Sequence, residues 1–216
     1  MPQIFHPSTN TLARVSLFGA VFLVGGALWV LVTLQRSSFV TRRGVPTTQP
    51  VPFSHQHHVG GVGLDCRYCH TSVETSSFAG IPPTQICMNC HSRLWNDSPT
   101  LAPVRDSYRS GVSLQWNRVH NLADFVYFDH SVHVAKGVAC VTCHGRVDHM
   151  PLMWKSASLQ MEWCLECHRH PESYLTPREA IFTMDYEPQG DRVALGRELM
   201  KQYRVHTRTD CSTCHR

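Results

Sequence analysis

Five times in 216 residues, two cysteines three positions apart are followed at once by histidine: Cys66/Cys69/His70, Cys87/Cys90/His91, Cys140/Cys143/His144, Cys164/Cys167/His168 and Cys211/Cys214/His215. Each triplet has what covalent c-type haem attachment requires: two thiols to add to the haem vinyls and an adjacent imidazole for the iron. The five triplets use all ten cysteines. With 15 histidines in the chain, finding one beside every second cysteine has a chance on the order of 10⁻⁶. Disulfides, zinc ribbons or redox dithiols would explain paired cysteines but not the histidine fixed beside each pair. The expectation is five covalently bound haem c groups, with His70, His91, His144, His168 and His215 as proximal iron ligands.

Each iron then needs a ligand on its other face, and an internal repeat points to four. Phe53-Ser54-His55-Gln56-His57-His58 precedes Cys66 much as Phe128-Asp129-His130-Ser131-Val132-His133 precedes Cys140, with one extra residue in the first copy. The i, i+3 spacing of His55/His58 and of His130/His133 places both imidazoles on one face of a helical turn. One short segment can then serve two neighbouring haems. Each copy is followed by a second motif, so the chain reads as two tandem two-haem modules with a fifth haem appended. His120 is the choice for a fifth distal ligand. Met150 is a further candidate, since a thioether would raise that haem's potential above bis-histidine neighbours.

Bulky macrocycles change how composition is read. The stretch after the first motif must wrap five porphyrins, which would supply most of the apolar interior. The formal charge of +4 comes from 17 arginines and three lysines. Haem propionates suit planar arginine forks, and about one net negative charge per ferric haem brings the holoprotein near neutrality. The basic balance therefore does not argue for nucleic acid.

The elements that position these residues are expected to be mostly α-helix and coil, preceded by one transmembrane helix. Residues 15–34 form an uncharged 20-residue run, long enough to cross a bilayer, after a short cytoplasmic N-terminus, 1–14. A cleaved signal peptide is disfavoured by the length of the run and by the lack of an Ala-x-Ala-like site before Arg36. Arg36, Arg42 and Arg43 outnumber Arg14 and lean towards a cytoplasmic body. Haem attachment on the outer face decides the other way, giving a single-pass protein of the cytoplasmic membrane with its haem domain outside. Beyond the helix, 35–52 reads as a Pro-rich stalk, 53–95 as the first module, 96–127 as a connector, 128–170 as the second module, and 171–216 as a helical arm carrying the fifth haem. A helix is expected at about 191–205, with Val193, Leu199, Met200 and Tyr203 buried, and Thr176-Pro177-Arg178-Glu179 resembles a capping box.

The run from Trp116 to His133, then Cys143-His144-Gly145-Arg146-Val147-Asp148-His149-Met150-Pro151, and Leu159 to Arg169, resembles the pentahaem cytochrome c subunit of alternative complex III. A close relative of that family is the multihaem subunit of menaquinone reductase, which carries six haems. Positions His55, His58, His120, His130 and His133 match the family pattern, while His149 departs from it. The resemblance implies an electron-transfer subunit that is not catalytic alone. It would relay electrons from menaquinol beside an iron-sulfur, molybdopterin-like subunit, polytopic quinol-binding subunits and a monohaem cytochrome c subunit. The acceptor would be a soluble cupredoxin or cytochrome c, or an oxidase. Two other readings stand beside it: a stand-alone membrane-anchored quinol dehydrogenase, and a multihaem reductase with one open iron face.

Overall fold

The computed structural model describes residues 4–216 and divides into two units, residues 1–42 and 43–216. The first unit is dominated by α1, Ser8–Arg36, with a four-residue turn, Ser38–Thr41 (α2), behind it. α1 is longer than the apolar run at both ends. At about 1.5 Å per residue, 29 residues exceed the hydrocarbon thickness of a bilayer. None of its residues is buried within the protein, and its mean hydropathy is 2.4 over the best 18-residue window. The two hydroxyls in its uncharged run are satisfied internally: Ser16 Oγ donates to the Leu12 carbonyl and Thr33 Oγ1 to the Trp29 carbonyl. That is what an apolar solvent demands.

The second unit is helix and coil. Among its described residues there is no strand, only two isolated bridges, Arg43 with Lys155 and Val138 with Leu175. It contains a π-turn, Gln56–Gly61, then α3 (Cys66–Cys69), α4 (Thr84–His91), α5 (Ala102–Ser110), α6 (His130–Ala135), α7 (Cys140–His144), α8 (Met161–Arg169), α9 (Arg192–Tyr203) and α10 (Cys211–Cys214). Four small apolar clusters stand in place of one core.

The two copies of the histidine turn differ as the extra residue requires. The second copy is the α-turn α6, capped by Asp129, whose carboxylate accepts from Val132 N. The first winds as a π-turn, with Val62 N reaching back five residues to the His57 carbonyl. The inserted residue is absorbed as a local widening, so His55 and His58 keep their relation to the motif that follows.

Residues 43–52, within the 35–52 stretch that the sequence marks as a Pro-rich stalk, run along the body. Gly44 N donates to the Lys155 carbonyl, Thr47 N to the Met153 carbonyl, and Gln49 exchanges two hydrogen bonds with the Asn117 backbone. Val51 is buried against Leu101 and Val104. The three prolines remove donors but leave enough backbone for this pairing.

The C-terminal segment, read from the sequence as a helical arm, packs against residues 171–176. α9 spans Arg192–Tyr203 and starts where Asp191 Oδ1 accepts from Val193 N and Ala194 N. Gly196 lets it press on Glu172: a Cβ there would lie 1.8 Å from the Glu172 carbonyl oxygen. Leu199 and Tyr203 are buried with Leu175, while Val193 and Met200 are half-buried. Thr176–Glu179 forms a short 3₁₀ turn at Arg178–Ala180 rather than the start of a longer helix.

Candidate functional site

Each Cys-x-x-Cys pair lies on a short helical turn, which brings its two thiols to one side, and the histidine follows at the helix end. The cysteines are not enclosed alike. Cys90 and Cys211 are exposed, while the other eight are half-buried. In α4, Cys87 packs against Val51, Leu101 and Val104, whereas Cys90, in the last turn, lies outside that cluster. A thioether needs its sulfur within reach of a vinyl and does not need burial, so the open position of Cys90 leaves the motif's geometry intact.

The orientation of the motif imidazoles is set from behind. Nδ1 of His70 is 2.7 Å from the Gly80 carbonyl oxygen, that of His91 3.1 Å from Leu94, that of His168 2.8 Å from Arg208, and that of His215 3.1 Å from Phe125. A carbonyl only accepts, so Nδ1 carries the proton and Nε2 presents its lone pair forward. This is how proteins prepare histidine for a metal. The same holds for His58 on Ser54 (2.8 Å), His130 on Ser77 (2.9 Å) and His133 on Asp129 (2.7 Å).

The histidines then pair across a constant gap. Ring centres of His58 and His91 are 6.2 Å apart, those of His130 and His144 6.3 Å, and those of His133 and His168 6.1 Å. An iron bound to two facing imidazoles, at about 2.0 Å each with about 1.1 Å more to each ring centre, sets the centres about 6.2 Å apart. Three pairs therefore have the separation that a six-coordinate haem iron needs. His55, the repeat counterpart of His130, has His70 as the strongest of its histidine neighbours; its Nδ1 is buried with no hydrogen-bond partner.

A phenylalanine supports each histidine turn, a role not singled out from sequence. Phe53 stacks on His58 at 4.4 Å and meets His55 edge-on at 4.9 Å; Phe128 does the same with His133 at 4.4 Å and His130 at 4.8 Å. The signal was there: both occupy the same offset in the repeat. His57 stacks on Trp95 instead.

Other residues from the sequence reading fall elsewhere. His120 does not face another imidazole at the coordinating distance: its ring centre is 4.3 Å from that of His144, and its Nε2 is 3.2 Å from His144 Nδ1. Met150 is 2% exposed in an apolar cluster with Val147 and Met184, against Cys66 and Cys140. That setting favours packing over coordination. His149 accepts from Arg146 beside Asp148 at the surface. The ring contact of His215 is with Phe125, not with a histidine.

The modules meet through reciprocal contacts. In the first, Gln56 N donates to the Met150 carbonyl of the second; in the second, His130 N and Ser131 N donate to the Ser77 and Ser76 carbonyls of the first. Gly60 is needed there, since a Cβ would lie 2.5 Å from the Asp148 carbonyl oxygen. The joint brings the first motif of each module together, with Cys66 and Cys140 packed against the same apolar cluster of Val147, Met150 and Met184. The fifth motif is held to the connector through Tyr127 N on the Cys214 carbonyl, and lies near the fourth, where Cys164 senses Cys214. In space the motifs run second, first, third, fourth, fifth.

Burial tunes the titrating groups. It pulls His55 and His120 down to about 4 and His144 down to about 3, helped by neighbouring histidines, and by Lys155 for His120. His58 and His133 are lowered for the same reason. These rings are neutral at pH 7, as ligation requires. Burial also pushes the Cys143 thiol up to about 12 and Cys167 up to about 11. Cys140 is raised by its contact with Cys66, which that contact lowers to about 7. A thiol kept protonated is a poor zinc ligand or redox nucleophile.

Residues 126–216, with three of the five motifs, match the family described as cytochrome c7 and related cytochrome c. This region is a multihaem cytochrome c domain. Over 97 residues, 44% of its length, the chain is 38% identical to a protein of Nitratidesulfovibrio vulgaris named menaquinone reductase, multiheme cytochrome c subunit. The match covers 45% of that relative, so the chain spans about half the length of the curated protein it resembles. Covalently bound haem c and electron transfer follow from these matches together with the motifs.

Proposed function

We propose that the cytochrome is the electron-relay subunit of a membrane quinol oxidoreductase of the alternative complex III type. Five haem c groups are tethered at Cys66/Cys69, Cys87/Cys90, Cys140/Cys143, Cys164/Cys167 and Cys211/Cys214. Their proximal ligands are His70, His91, His144, His168 and His215, and the distal ligands are drawn from His55, His58, His130 and His133. Bound haem supplies one-electron chemistry; the chain's own residues hold the imidazoles neutral, oriented and stacked.

The observation that carries this reading is the spacing of about 6.2 Å in three histidine pairs. Two filled axial positions suit relay, because chemistry on a substrate at iron needs an open face. This disfavours a multihaem reductase at those three sites. α1 serves as the anchor, with the haem body on the outer side of the cytoplasmic membrane. Partners are an iron-sulfur, molybdopterin-like subunit, polytopic quinol-binding subunits and a monohaem cytochrome c, with a soluble cupredoxin or cytochrome c beyond.

The named relative favours a second reading, in which electrons run towards menaquinone rather than away from menaquinol. The residues of a relay serve both directions. Purification from native membrane in mild detergent, with haem-stained gels and assays of menaquinol oxidation and menaquinone reduction, separates the two. Co-purification with iron-sulfur and polytopic subunits is the expected result. Recovery as a lone, active quinol dehydrogenase would reject the relay-subunit reading.

A further inference from the structure

Four of the five proximal histidines rest Nδ1 on a main-chain carbonyl: His70, His91, His168 and His215. His144 alone among these five rests it on a side chain, Nε2 of His120 at 3.2 Å, with the rings nearly perpendicular at 75°. The bond joins residues 24 positions apart, and His120 is itself held in place. Asn117, three residues before it, donates its backbone N–H to Gln49 Oε1 at 2.8 Å, accepts from Gln49 Nε2 at 2.8 Å, and gives its side-chain amide to the Thr48 carbonyl at 2.7 Å. The segment that the sequence marks as a stalk thus acts as a splint for His120.

We propose that His120 is a positioning residue for His144 and not an iron ligand. The ring separation is the first reason: 4.3 Å between centres leaves no room for an iron between two imidazoles, which needs about 6.2 Å. His144 instead faces His130 at that distance. Hydrogen-bond logic is the second. If Nε2 of His144 faces the iron, its Nδ1 carries the proton and donates to His120 Nε2, so that nitrogen of His120 is already occupied.

An sp² ring nitrogen is a more basic acceptor than an amide carbonyl, so it draws the His144 proton further and makes Nε2 a stronger donor to iron. A stronger donor favours the ferric state. The third site is then held at a lower potential than the same ligand pair would give with a carbonyl behind it, and it is the site where the two modules meet.

The inference rests on the haem reading, and one experiment separates the two. Holoprotein carrying His120→Ala, and in parallel His120→Asn, is examined for haem content, low-temperature electron paramagnetic resonance and potentiometric titration. We expect all five haems attached and the low-spin signal undiminished in both variants. In His120→Ala one haem should become easier to reduce, by about tenfold in its equilibrium constant, which is 59 mV for one electron. In His120→Asn, whose amide oxygen still accepts but is less basic than a ring nitrogen, the potential of that haem should fall between those of the parent and His120→Ala. A new high-spin haem in either variant would make His120 a ligand and overturn the proposal, as would an unchanged set of potentials in His120→Ala. If His120→Ala fails to accumulate, His120→Asn decides alone, because asparagine replaces an acceptor but not an iron ligand. Absence of attached porphyrin in the parent protein would defeat the haem reading itself.

Discussion

Replacing His133 by alanine tests the pairing geometry most directly. His133 faces His168 at 6.1 Å between ring centres and stacks on Phe128 at 4.4 Å, with Nδ1 2.7 Å from the Asp129 carbonyl. Losing that hydrogen bond costs about 1 kcal/mol, and losing the stack about 0.5–1.5 kcal/mol. The total is small beside the covalent tethers at Cys164 and Cys167, so the variant should fold and carry all its haems. Its fourth site, however, loses its second axial ligand. Of five sites, one should turn high-spin, read as a new high-spin signal and a loss of about one fifth of the low-spin intensity if every parent haem is six-coordinate. His133→Met should instead remain low-spin and raise the potential of one haem. His130→Ala should act on a different haem, the third, so the double variant should lose the two contributions additively. The pairing argument fails if His133→Ala keeps its full low-spin signal, or if it converts the same haem as His130→Ala.

Acid should weaken the fold in a defined window. His120, which binds no iron on this reading, titrates at about 4 when folded because it is buried, below the unfolded 6.5, so the unfolded chain binds more protons between these values. Stability is then flat above pH 7 and falls as pH drops from 6.5 towards 4, by at most about 3 kcal/mol for His120 at about 1.4 kcal/mol per pKa unit; thermal melts that stay level from pH 7 to 4.5 would contradict this. Gly196→Ala should destabilise by about 1–3 kcal/mol, because the new Cβ would collide with the Glu172 carbonyl oxygen. An unchanged denaturant midpoint would mean that α9 does not press on that turn. Removing residues 1–42, with an export signal supplied, should release a soluble haem-stained body, since residues 43–216 form their own unit; a body still in the membrane fraction would place its attachment elsewhere.

Much of the haem chemistry was legible because it is local. A Cys-x-x-Cys-His run fits in one helical turn, and the His55/His58 and His130/His133 spacings need only a second turn to be read. The extra residue before Cys66 also left its mark, as the π-turn. What escaped needed contacts between distant residues. Gln49 reaches Asn117, Arg43 reaches the Ser156 carbonyl, and His120 reaches His144, and no periodicity encodes such meetings. The exposure of Cys90 beside a half-buried Cys87 was hidden for the same reason: the motif is identical at every site, and only the distant Leu101 and Val104 decide which thiol is covered. Gly196, in the middle of a helical pattern, was a visible sign that the supposed arm lies against a neighbour. Conversely Met150, a chemically plausible ligand by type, turned out to sit among apolar side chains where methionine commonly fills space.

The reciprocal hydrogen bonds between Gln56 and Met150 and between Ser131 and Ser76 join the duplicated halves face to face, as subunits join about a twofold axis. Such a junction consumes itself: each half offers the same surface, and once matched neither has it left for a third. Copying the half-unit again would therefore not lengthen the array. Growth is possible only at the outer rims, by adding single tethers of another design, which is how Cys211–His215 is attached beside the fourth site.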